Sequence, residues 1–202
     1  MASIRCSILG YPVVVIAMVC QFGYAQNNAG SSSKTEGIDP MTTTRITLGS
    51  VSGAVGTSVV VPIYFTPAPG VSVGHLKLKI QFVSANMKFR KLERGIAAEM
   101  ANIDLKTDLK DGKNDQGVDN STLTIDATAP SGGAGMTPGL LGYINLDISA
   151  TGRPAKISMR TSAEAEETGG GKSVSNLKSF DGEVEVIAAG SQPAVLCFFF
   201  SH

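Results

Sequence analysis

Enzyme chemistry needs side chains that attack, relay protons or hold a metal, and this chain is sparing with them. It has two histidines, His75 and His202, and three cysteines, Cys6, Cys20 and Cys197. A serine–histidine–aspartate triad or a multi-histidine metal centre has little to be built from. Carboxylates are plentiful, but no pair sits in a recognisable glycoside-hydrolysing motif. Gly171-Lys172-Ser173 ends like a phosphate loop, yet the first glycine of that motif falls on Glu166. Glu164, Glu166 and Glu167 would repel a phosphate, so the stretch reads as a solvated loop. Asp111-Gly112-Lys113-Asn114-Asp115 has a calcium-loop look, with Lys113 where a ligand oxygen belongs and Gln116 where the turn glycine belongs. It reads as a polar turn, with Asp111, Asp115 and Asp119 the residues that would hold a weak cation. No catalytic residue, metal or cofactor is therefore expected, and the chain is not expected to be an enzyme.

What remains is a row of polar side chains. His75-Leu76-Lys77-Leu78-Lys79-Ile80-Gln81-Phe82 alternates strictly. Leu76, Leu78, Ile80 and Phe82 share one face, while His75, Lys77, Lys79 and Gln81 share the other. Period two means a strand with one side in a core and one in water. Edge lysines of this kind often serve only to deter aggregation; the competing reading is a patch that recognises a partner. A sugar platform would favour Trp and Tyr, but the chain has no Trp, and after residue 25 only Tyr64 and Tyr143 remain.

The elements that must position this row are short strands. RITLGSV from Arg45, Val59–Phe65, His75–Phe82, Met87–Arg90, Ile103–Leu109, Thr122–Ala127, Leu140–Ile148, Ala155–Arg160 and Glu183–Ile187 alternate or are β-branched. Glycine and proline turns separate them, and helical period is confined to one or two turns through Ile96 and Met100. Pro62 cannot donate to a ladder, so its strand is expected at an edge or with a bulge. Glu164 to Ser175 reads as an acidic, then glycine-rich loop. The fold class expected is all-β, an antiparallel jelly-roll sandwich of about nine strands.

Composition bounds the rest. Seventeen basic and seventeen acidic residues cancel, so no global field argues for nucleic acid. Residues 1–25 read as a signal peptide: Arg5, an apolar Val13–Val19 core, and small residues at Gly23 and Ala25 before the cut. Cys20 suggests a lipid anchor, but Val19 is bulky where a lipobox needs a small residue. Residues 26–44 read as a polar linker and 45–188 as the folded domain. The tail 189–202 holds the apolar run Ala194–Phe200, too short to span a bilayer. The expected product is secreted, without a transmembrane segment after cleavage. Cys197 alone then survives, leaving stability to the core.

Three blocks occur in an order that resembles cohesin domains. They are Gly53–Phe65 (GAVGTSVVVPIYF), Gly139–Leu146 (GLLGYINL) and Asp181–Val186 (DGEVEV). The resemblance covers about Arg45 to Ala188. It implies a non-catalytic module that binds a protein partner, a dockerin, in the service of polysaccharide breakdown. Phe82-Val83-Ser84 stands where the family often has Tyr-Asp-Pro, keeping the aromatic without the acid or the proline. Cohesins are similar in fold to carbohydrate-binding modules, so direct binding of a polysaccharide is the alternative. By the same resemblance the third, fifth, sixth and eighth strands share one sheet. Its outer face would carry His75, Lys77, Lys79, Gln81, Lys106, Thr122, Thr124, Asp126, Lys156, Ser158 and Arg160, the candidate partner-binding set. The charge of its lysines and arginine suits an acidic or hydroxyl-rich surface.

Processing is directly testable. The exported product should begin at Gln26 by intact mass, whereas a lipid-modified start at Cys20 would overturn the cleavage assignment.

Overall fold

The computed structural model describes residues 38–190. The expected signal peptide, most of the linker and the apolar tail lie outside the described residues. Eleven strands and one short helix follow in order: β1 Thr44–Leu48, β2 Val51–Ala54, β3 Ser58–Thr66, β4 Val73–Val83, β5 Met87–Arg94, α1 Ile96–Met100, β6 Asp104–Lys113, β7 Asp119–Thr128, β8 Gly139–Ile148, β9 Ala155–Glu167, β10 Leu177–Phe180 and β11 Gly182–Ile187. They form a five-stranded sheet, β10-β1-β3-β8-β5, and a six-stranded sheet, β2-β11-β9-β4-β7-β6. The core between them is aliphatic, with Phe65 and Phe82 its largest buried side chains.

The expected all-β sandwich is what forms, with two additions. The first and last strands each break in two, which turns nine strands into eleven. β1 pairs with β10 in one sheet and β2 with β11 in the other, both in parallel. The terminal segments thus run side by side and change sheets together. The crossing needs backbone with no side chain. A Cβ on Gly182 would lie 2.6 Å from the Gly49 carbonyl oxygen and 2.8 Å from the Leu48 Cβ. One on Gly49 would lie 2.6 Å from the Pro62 ring. Such distances are far inside van der Waals contact.

Pro62 lies in β3, which is central in its sheet rather than at an edge; the pairing with β8 shifts register just after it, between Ile63 and Tyr64. A strand residue turns its N and C=O to the same side, and the Pro62 carbonyl accepts from Gly49 N–H at 2.8 Å. The missing donor therefore faces the point where β1 leaves the sheet, so no ladder bond is lost. Two further readings change. β9 runs through Glu167, because Ala163 and Ala165 continue the inward alternation past Arg160. In α1 the side chains that pack are Ala97 and Ala98, while Ile96 and Met100 are exposed. The described structure also reaches back into the expected linker. Asp39 accepts the N–H groups of Met41, Thr42 and Thr43, and Thr43 and Thr44 are buried.

The crossing gives a sharp stability test. Gly182→Ala forces backbone apart and should cost roughly 1–3 kcal/mol in urea unfolding, the range for overpacking. Gly112→Ala, with open space around its Cβ position, should stay within about 0.5 kcal/mol.

Candidate partner-binding face

The strands expected third, fifth, sixth and eighth are β4, β6, β7 and β9, adjacent in the order β9-β4-β7-β6. Their inward residues, among them Leu76, Leu78, Ile80, Leu123, Ile125 and Met159, fill the core. Burial of that face obliges the alternate residues to point outward, and pairing then arranges them in rows across the strands. One row is Glu166, His75, Thr128 and Asp104. The next is Glu164, Lys77, Asp126 and Lys106, followed by Ser162, Lys79, Thr124 and Asp108. A fourth is Arg160, Gln81, Thr122 and Lys110.

Every residue of the candidate set therefore lies on this face, although not all are neighbours. His75, Lys77, Lys79, Thr124 and Asp126 form its middle, whereas Gln81, Thr122 and Arg160 stand at one end. Lys156 lies beyond them toward β11, 3.3 Å from Glu183.

The face is less basic than the lysines alone suggested. His75 Nε2 sits 3.5 Å from Asp126 and Lys79 Nζ 3.8 Å from Glu164, both diagonal pairs. Glu164 and Glu166 were read as loop residues, yet they take part in the rows. The alternation of Ala163 and Ala165 with these glutamates was the signal that could have revealed it. In the second row charges alternate in sign across all four strands. The fourth row alone among these contains no acid. Among the described residues, Arg160 has no carboxylate within the 4.0 Å of an ion pair.

Arg160 also marks an opening. β9 pairs with β4 up to Gln81↔Arg160, then switches to β11 from Met159↔Gly182. Beyond that point β4 and β9 part, leaving a recess of about 820 Å³. Lys110, Lys113, Lys156 and Arg160 line it with the acids Asp111 and Asp115 and the amides Gln81 and Asn120. Its lining is polar and holds four cations to two carboxylates, and the end at Arg160, which has no acid in its row, suits carboxylate or hydroxyl groups.

The other candidates resolve differently. Asp111 accepts from Ser121 Oγ, and Asp119 pairs with Lys113 at 2.9 Å. Among the described residues no group of three His, Cys, Asp or Glu converges as a metal site would need. Lys172, from the phosphate-loop look-alike, follows the Gly169–Gly171 turn and lies 3.3 Å from Glu167. Tyr64 and Tyr143 belong to the opposite side of the sandwich, on the outer face of β3 and β8. There Tyr143 pairs with Pro62, making the two tyrosines diagonal neighbours. On that same face Lys91 and Asn145 donate to Glu93 and hold its carboxyl below the ordinary carboxylate range.

Against known proteins, no family model and no curated protein matches the sequence. Solved structures do match. A cohesin in complex with a dockerin from Clostridium thermocellum (the OlpA–Doc918 pair) has a TM-score of 0.58 at 17% identity, covering 72% of this chain and 99% of that one. The third ScaC cohesin of Acetivibrio cellulolyticus, solved with the ScaB dockerin, gives 0.55 at 24%, covering 72% and 99%. A non-cellulosomal cohesin from the archaeon Archaeoglobus fulgidus gives 0.50 at 15%, covering 73% and 94%. The chain has the cohesin fold.

The ion pairs on this face should contribute little to folding, which makes it open to mutation. A double-mutant cycle on Lys79→Ala and Glu164→Ala should give a coupling under about 0.5 kcal/mol, because both groups are well exposed. A coupling several times larger would mean the face is built for stability.

Proposed function

We propose that this chain is a non-catalytic interaction module that binds a dockerin-like protein domain through the outer face of β9-β4-β7-β6. The observation that carries the proposal is the fourth row with its recess. There a cationic end, Arg160 and Lys110, flanks the amide and hydroxyl groups of Gln81 and Thr122 on a rigid sheet. Sheet residues hold such groups in fixed register, so binding orders few side chains and loses little entropy. The partner surface that fits offers carboxylate or hydroxyl groups to the recess. Beside it, the mixed charges of the middle rows would select orientation by charge complementarity. The matched cohesins solved with dockerins support this kind of partner. In this reading the module is exported and holds a polysaccharide-degrading enzyme in place.

A second reading rests on a separate observation. Tyr64 and Tyr143 adjoin on the opposite sheet face, beside Thr47 and Asn145. Aromatic faces with nearby amide and hydroxyl groups are what a sugar ring stacks on and bonds to. In this reading the module binds a polysaccharide directly, and through the five-stranded sheet.

One set of variants separates the two. Binding to a panel of immobilised dockerin domains should weaken at least about tenfold in Arg160→Glu, the cost of reversing one desolvated charge contact. Tyr64→Ala with Tyr143→Ala should leave that binding unchanged. Binding to polysaccharide alone, lost with the tyrosines and kept by Arg160→Glu, would replace the first reading with the second. Equal dockerin binding by wild type and Arg160→Glu would move the protein site elsewhere.

A further inference from the structure

β6 closes one edge of the six-stranded sheet, with β7 on one side and solvent on the other. Nine of its ten residues are exposed, and only Leu105 is half-buried. An exposed edge this long is a template for another strand. The hairpin sets which backbone groups are free. Asn114 N–H donates to the Val118 carbonyl at 2.9 Å, and the ladder then runs from Lys113↔Asp119 to Asp104↔Thr128 without a register shift. Residues alternate along an antiparallel ladder, so the even-numbered ones exchange bonds with β7. Leu105, Thr107, Leu109 and Asp111 turn their N–H and C=O to the open side. Across β7, the Asp119 carbonyl accepts from Ser84 N–H, which agrees with this phase.

We propose that this edge is the two-fold interface of a homodimer, in which β6 pairs antiparallel with β6 of a second copy about an axis at Thr107. The strand reads Asp104-Leu105-Lys106-Thr107-Asp108-Leu109-Lys110. Laid against itself about Thr107, it sets Asp104 opposite Lys110, Lys106 opposite Asp108, and Leu105 opposite Leu109. The phase condition is met as well. Odd residues, whose backbone groups face outward, fall opposite odd residues and can exchange hydrogen bonds. The charged even residues take the non-hydrogen-bonded positions, where opposed side chains are closest.

Charge also selects the register. A slip of two residues one way sets Asp104 against Asp108, and the other way Lys106 against Lys110. Edge lysines ordinarily serve to repel other strands, and for that any charge suffices. Here the sign alternates so that the edge complements its own copy, the self-complementarity an isologous contact requires. Within one copy Lys106 and Asp104 already lie 3.2 Å apart, and Lys110 and Asp108 3.7 Å. These pairs are exposed and weak, so exchanging them for pairs across the seam costs little.

Leu105 and Leu109 lie on the core side of the sheet, so their opposition carries the apolar layer across the seam. Opposed residues of a ladder point to the same face. Both copies therefore turn their β9-β4-β7-β6 faces to one side, as a two-site platform on a single continuous sheet.

Sedimentation velocity on the full chain over a wide concentration range tests this, with reversible dimers expected. Lys106→Asp/Lys110→Asp and Asp104→Lys/Asp108→Lys should each raise the dimer dissociation constant at least about tenfold, through four reversed charge pairs. An equimolar mixture of the two should dimerise again. Thr107→Pro removes an N–H that faces solvent and leaves the β7 ladder whole, so its melting temperature should hold while the dimer is lost. A wild type that stays monomeric overturns the proposal, as does a dimer that persists in folded Thr107→Pro. Variants that fail to re-pair when mixed overturn it too.

Discussion

The structure depends on one close approach of backbone to backbone, where Gly182 meets Gly49 and Leu48. Two sheets stacked face to face have no covalent reason to stay in register. Here the first and last segments of the domain lie in both sheets and pair with each other in each. Each half of the pair is short, four residues in β2 and β10 and five or six in β1 and β11. None would be stable as a free ribbon. Crossing together, they fix the angle and separation of the layers, and a side chain at the crossing would force them apart.

The candidate face parts close to that crossing. β11 enters the six-stranded sheet at Gly182 and pairs with the first half of β9 on one side, while β4 pairs with the second half on the other. The β4–β9 ladder ends at Arg160, and the recess opens there, so the row without an acid lies where the sheet parts. A regular sheet would have closed that space with a ladder. The terminal segments thus staple the fold, and the recess lies close to where they cross.

The two outer faces differ in kind for a packing reason. β4, β7 and β9 present polar side chains whose charges are set against one another across strands. β3 and β8 present Val60, Pro62, Tyr64 and Tyr143, with one charge of their own, Asp147, at the end beside Ser58. A protein surface with hydrogen-bonding groups suits the first, and a flat ring suits the second. Along the edge at β6 the sign alternation has a third use, selecting another copy of itself.

How much of this was legible in the sequence follows from what period two can say. The alternation of His75–Phe82 identified β4, its inward face and its outward row, since one buried side leaves no other arrangement. Turn glycines and β-branched runs were enough for an all-β sandwich, and the three ordered blocks pointed to the cohesin fold. Local pattern carries no information on neighbours, however. Only pairing showed that Lys79 lies against Glu164, that Lys77 stands between Glu164 and Asp126, and that the patch is mixed in charge rather than basic. The splitting of the terminal strands was equally hidden, because Gly49 and Gly182 are far apart in the chain and meet only in space. Pro62 shows the same limit: sequence said that it lacks a donor, and only tertiary structure decided that it sits in a central strand, facing the point where β1 leaves the sheet.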